Sequence, residues 1–285
     1  MRNLFKAFIF RLRKDLTFRI TLIVGGALAV GLALILFFID LGLKNADIDM
    51  KLCTGQTLFV SSLSPAQNFG LAVPINLITF TVLEFTQGTI RNKIITGNSK
   101  TKIYFSLILS GIVFTLLLMF AYVGLCVGLG SIFGGFNPHG MVMGLVNGTV
   151  SPEFLWKIGV LALLAYIFIA VMTIFFASLI RNVGPCIPIV IILIMIFYFG
   201  GTLASAMDAL GEILGDGMKN FLLAIKYIDP LYSLAAFSSE VDPNTGASYL
   251  AISNADFWTE VINNLVYIAA FTLGGWLLFR KRDVK

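Results

Sequence analysis

Between Ile20 and Leu41 the chain reads ITLIVGGALAVGLALILFFIDL, and its single ionisable side chain, Asp40, stands next to the end. A helix of that length rises ~33 Å, enough to cross a hydrocarbon core of about 30 Å. Five further apolar runs follow, from Pro65 to Leu83, Ile103 to Ile132, Leu155 to Ile180, Pro185 to Met207 and Phe257 to Phe279. The chain of 285 residues is 58% hydrophobic and 12% charged, where soluble domains carry about 25% charged residues. A water-soluble fold has too little interior for that much apolar surface, so lipid must cover part of it. The first run is too long for a signal-peptide core and lacks a small-x-small cleavage site, so it is expected to be retained. The expected fold is all-α: a polytopic integral membrane protein of six transmembrane helices, forming a single transmembrane unit over residues 1–285.

Lysine and arginine set the expected orientation. With both termini placed in the cytoplasm, the inner segments hold 15 of the 20 cations: six before Ile20, four between Glu84 and Lys102, Arg181, and four after Phe279. The outer segments hold Lys44, Lys51, Lys157, Lys219 and Lys226. Acidic residues are biased the other way, with only Asp15, Glu84 and Asp283 inside. The net charge of +5 is therefore a topology signal and does not imply nucleic-acid binding. The expected location is the cytoplasmic membrane, multi-pass.

On this layout the most hydrophilic stretch between two spans, residues 84–102, is the first cytoplasmic loop. Thr89 to Thr96 has the pattern of a short helix, with Gly88 before it and Gly97 at the C-terminal cap position. Ile90 and Ile94 fall on one face, while Arg91 and Lys93 point elsewhere. Asn98 or Ser99 is placed to cap the next span. Two turns of helix are unstable alone in water, so either headgroups or another protein must hold them.

The stretch LEFTQGTIRNKIITGNSKTKIYFS, together with six spans and a basic N-terminal segment, resembles the permease subunit of ABC-2 type ABC transporters. The matching positions are Glu84, Gly88, Thr89, Arg91, Lys93, Gly97, Ser99, Lys100, Ile103 and Tyr104. The resemblance implies that residues 84–102 form the coupling helix, docked in a groove of a separate ATP-binding subunit. It also implies pairing with a second permease copy or paralogue, and transport outward. From the residues alone, a helix lying on anionic headgroups fits the same loop.

Residues 1–19 carry Leu4, Phe5, Phe8, Ile9, Leu12 and Leu16 on one helical stripe, the pattern of an interfacial helix on membrane lipids. The resemblance implies an elbow helix there. Residues 208–256 are too polar to span and too apolar to float. They read either as a re-entrant or interfacial helix pair turning at Asp229-Pro230, or as an amphipathic outer loop. The resemblance implies the helix pair, placed before the last span.

No catalytic pattern is present. GNSKT lacks the glycine spacing of a phosphate loop, so the chain is expected to bind no nucleotide cofactor and to rely on a partner for ATP. It is not expected to be an enzyme. His139 reads as a solvated loop residue, and Asn147 matches a glycosylation acceptor by pattern alone. Cys126 and Cys186 read as small packing residues, and Cys53 as an outer cysteine open to pairing with another chain. No Asp, Glu, Lys or Arg lies in the six cores; Asp40 and Glu260 stand near outer ends. Ion-coupled transporters usually need such a group, so the energy source is expected to lie outside this chain. Asn68, Asn76 and Thr79 in the second span and Phe197 and Tyr198 in the fifth are candidate pathway residues, because the resemblance implies that those spans line the pathway. By themselves they fit ordinary helix packing equally well. The expected function is the transmembrane subunit of an ATP-driven exporter of a hydrophobic, peptide- or drug-like substrate. The rivals are a non-transporting membrane immunity or sensor protein that binds a peptide antibiotic, and a membrane enzyme acting on lipids.

Overall fold

The computed structural model describes residues 10, 14–45, 51–64, 71–136, 149–150, 152–208, 224, 228–235, 238–241 and 248–281. Five helices are long and apolar enough to cross a membrane. They are α1 (Leu16–Asn45), α5 (Lys100–Gly134), α6 (Pro152–Ile180), α7 (Val183–Asp208) and α9 (Asn254–Lys281). Between them lie α2 (Gly55–Leu63), α3 (Ala72–Thr86), α4 (Thr89–Ile95) and α8 (Tyr232–Ala235). The chain is a multi-pass membrane protein.

The expected second span is described only in part. Of its residues Pro65 to Leu83, those from Leu71 onward are described, and they belong to α3, a helix of 15 residues that follows α2 in the described chain. That length rises ~22 Å, short of a ~30 Å hydrocarbon core. Proline is the physical reason that α2 stops where it does. Ser64, which precedes Pro65, takes the extended conformation φ −66, ψ 121 that a following proline favours, and α2 stops at Leu63. Pro74 falls in the first turn of α3, where its missing N–H costs no helical bond. The helix Gly55–Leu63, unforeseen from the sequence, begins at Thr54, whose side chain accepts a bond from the Thr57 N–H.

Helix α6 is the centre of the bundle. Ala162, Ala165, Ala170 and Ala177 are fully buried on it, and such small residues let neighbouring helices come close. Phe168 stacks on Phe197 of α7 and on Tyr267 and Phe271 of α9, with ring centroids 5.6 to 6.0 Å apart. Helix α1 buries a stripe of small residues spaced by four: Thr21, Gly25, Ala29 and Ala33. Its other faces expose Ile23 at 71% and Phe38 at 64%, a surface that only lipid covers without cost. Helix α2 packs on the far end of α5, where a Cβ on Gly134 would stand 1.9 Å from the Cys53 carbonyl oxygen.

Helices α5 and α9 run antiparallel. Tyr104 meets Phe279 at 5.5 Å, and the Trp276 Nε1 donates to Thr101 Oγ1 at 3.2 Å. Pro188 lies inside α7, which runs on through it. Of the segment 208–256, the described part after Pro230 holds α8 and two strands before α9 begins. Strand β3 (Ser248–Ala251) pairs antiparallel with β2 (Ser238–Val241) and parallel with β1 (Thr149–Val150). A DPNTG run between β2 and β3 carries hairpin-turn residues. The N-terminal stripe up to Ile9, Leu12, Asn68, His139 and Asn147 lie outside the described residues.

Candidate functional site

The loop 84–102 forms a compact elbow at one end of the bundle. Helix α3 ends with the Gln87 N–H bonded to Leu83 O. The chain then turns at Gly88, whose φ of 66 and ψ of 11 lie in the left-handed region. A side chain there would be strained. Helix α4 follows with Ile90 fully buried. Its exit is a Schellman motif: the Gly97 N–H bonds Ile94 O at 2.9 Å and the Asn98 N–H bonds Lys93 O at 3.2 Å, with Gly97 at φ 86. Of the two candidate caps for α5, Ser99 is the one, accepting from the Lys102 N–H at 3.3 Å.

Glu84 ties the elbow together. It is 4% exposed, and its Oε2 accepts from Lys93 Nζ at 2.5 Å. The carboxylate on the last turns of α3 thus holds the middle of α4 across the Gly88 turn. Lys93, placed by the sequence off the Ile90–Ile94 face, is drawn inward by this pair. What α4 leaves outside is a short polar and apolar face: Arg91, Asn92, Thr96 and Ile95, the last 73% exposed. Thr89 lies partly buried at the first turn.

Two other segments converge on the elbow. Arg181, at the exit of α6, has a φ of 54, unusual for a residue with a side chain. Its guanidinium lies 5.3 Å from the Phe85 ring centroid. Phe85 in turn meets Phe279 of α9 edge-on at 6.1 Å. Lys100 Nζ donates to the Arg280 carbonyl at 3.4 Å. The loop 84–102, Arg181 and the end of α9 therefore share one basic end. The sequence contained the signal for Arg181, a lone cation between two spans, but not its seat on Phe85.

The pathway candidates are held by other parts of the chain. Asn76 accepts from Thr21 Oγ1 at 2.7 Å and donates to Ala72 O at 2.6 Å. Thr79 Oγ1 donates to Ile75 O, one turn back. Phe197 belongs to the aromatic cluster around Phe168. Tyr198 stacks edge-on with Phe199 at 5.9 Å.

Buried charge is concentrated at the two ends of the bundle. Opposite the elbow, Lys157, Asp229 and Glu260 are each 3% exposed, and Asn264 is fully buried. Lys157 Nζ donates to Ile252 O at 2.7 Å and pairs with Glu153 at 2.8 Å. Asn264 Nδ2 donates to Pro230 O at 3.0 Å, and Asp229 Oδ1 accepts from the Leu231 N–H, making the expected Asp-Pro turn. These bonds sew the segment before α9 onto the bundle. Cys53 is not open to another chain: it is fully buried, and its Sγ donates to Ala33 O at 3.4 Å. Asp40 accepts from the Leu52 and Cys53 N–H groups at 2.6 and 2.8 Å. Burial, and secondarily the Asp40 charge, push the Cys53 thiol from 9.0 up to about 11. Among the described residues no group of three or more His, Cys, Asp or Glu side chains is placed to hold a metal ion.

Comparisons of the chain with protein-family models, with curated proteins and with solved structures gave no match.

Proposed function

We propose that the chain is the transmembrane subunit of an ATP-driven exporter of ABC-2 type, with the basic end in the cytoplasm and α4 docked on a separate ATP-binding subunit. The observation that carries this reading is Ile95. It is 73% exposed on a two-turn helix that the Glu84–Lys93 pair, the Gly88 turn and the Schellman exit hold in one orientation. A helix of that length does not hold itself in water, and this one presents an apolar side chain beside Arg91, as a groove-binding helix does. Because α4 is tied to α3, and α3 packs on α6 and α7, a push on α4 reaches the core. A hydrophobic, peptide- or drug-like substrate fits a bundle whose spans carry no charge in their middles.

The test is Ile95→Asp in the full chain, co-expressed with an ABC-type ATP-binding subunit from the same genome that co-purifies with the unmodified chain. The substitution lies on the exposed face and leaves Glu84, Lys93 and Ile90 in place. Loss of co-purification and of ATPase stimulation, with normal membrane insertion, is the expected result. Unchanged assembly and stimulation would overturn the docking assignment.

A further inference from the structure

Helices α6 and α9 leave a groove of about 580 Å³ on the lipid side of the bundle, between Phe175 on one helix and Tyr267, Phe271, Gly274 and Leu278 on the other. Its wall is almost wholly apolar. One charged side chain lines it: Lys281, at the basic end. From Tyr267 to Lys281 the helix rises ~21 Å, which matches half of the ~40–45 Å bilayer counted with its headgroups. The groove therefore runs from the bilayer midplane to the headgroup level of one leaflet. Lys281 is exposed, and among the described residues no carboxylate pairs with it.

We propose that this groove holds an acyl chain of an anionic phospholipid whose phosphate pairs with Lys281. Two neighbouring glycines show the groove to be a feature of the helix rather than a packing fault. A Cβ on Gly275 would stand 1.9 Å from the Tyr104 hydroxyl, so glycine there serves close contact with α5. A Cβ on Gly274 would meet only Phe175, at 3.8 Å. Packing does not require glycine at 274, and its bare backbone keeps the groove open. A second copy of the chain is the weaker occupant. Two-fold pairing about the membrane normal through this face would set both copies' Lys281 at one depth, like charge against like. A lipid phosphate brings the opposite charge at that level. The inference needs only a membrane-embedded bundle and does not rest on the proposed exporter function.

The full chain is placed in phosphatidylcholine vesicles doped with phosphatidylglycerol or phosphatidylcholine carrying a photoactivatable acyl chain, and adducts are mapped by mass spectrometry. Adducts at Phe175 and Phe271 are expected to favour phosphatidylglycerol by about five-fold, the effect of one cation near an anionic surface. Lys281→Gln should bring the ratio to unity. Gly274→Leu, which fills the groove, should remove those adducts but not the ones at Ile23 and Phe38 on α1. Equal labelling of the groove by the two lipids, or wild-type labelling in Gly274→Leu, would refute the assignment. Disulfide linkage between copies through Leu278→Cys, with loss of lipid adducts, would give the groove to a second copy instead.

Discussion

Replacing Glu84 by alanine removes a carboxylate that is 4% exposed and leaves Lys93, whose side chain is 23% exposed, without that partner. A solvated surface pair is worth about 0–1 kcal/mol, and breaking a fully buried one costs about 3–5 kcal/mol. Lys93 stands between these limits, because its ammonium can regain water once the carboxylate is gone. The cost should therefore be about 1–3 kcal/mol, and it should fall on the elbow, where the pair joins α3 to α4. Local opening of α4 sets the exchange of its amides. Glu84→Ala should thus speed deuterium uptake over Asn92 to Ile95 by about 5- to 150-fold, with α6 and α9 unchanged. Lys93→Met should do the same, and the double variant should cost less than the sum of the singles, because each single change already breaks the pair. Wild-type exchange in Glu84→Ala would refute the idea that this pair fastens the elbow. Uptake that rises along all of α3 would show instead that Glu84 supports the bundle.

Gly134→Ala should separate α2 from α5 and lower the thermal midpoint in detergent by several degrees, since the added carbon meets the Cys53 carbonyl; Gly128→Ala, with nothing within 4 Å, is the matched control and should be near neutral. In a Cys126→Ser, Cys186→Ser background, maleimide labelling of Cys53 should be slow at neutral pH. Only the thiolate reacts, and a thiol raised to about 11 gains thiolate up to that pH, so the rate should still be climbing where an ordinary thiol has levelled off. Early levelling would show that Cys53 is solvated.

The long spans were legible from the chain alone because their signal is local. Twenty apolar residues in lipid have one solution, a helix with all its backbone bonds inside the segment. Gly88 and Gly97 were legible for a similar reason, since a short helix between two turns needs left-handed residues at fixed places. Three features were settled only by tertiary structure. The polar run from Thr54 to Ser64 reads as an outer loop, yet it is a helix, because α5 offers the bare backbone of Gly130 and Gly134 for it to pack against. Cys53 looked open to another chain and is sealed by Ala33 and Asp40, partners on α1. Lys93 fell off the apolar face of its helix and is drawn in by Glu84, nine residues earlier. In each case the deciding contact joins residues that helical periodicity does not relate. Hydropathy counts apolar side chains along a segment, whereas the choice between loop and helix, or free and buried, depends on which neighbour satisfies the polar groups.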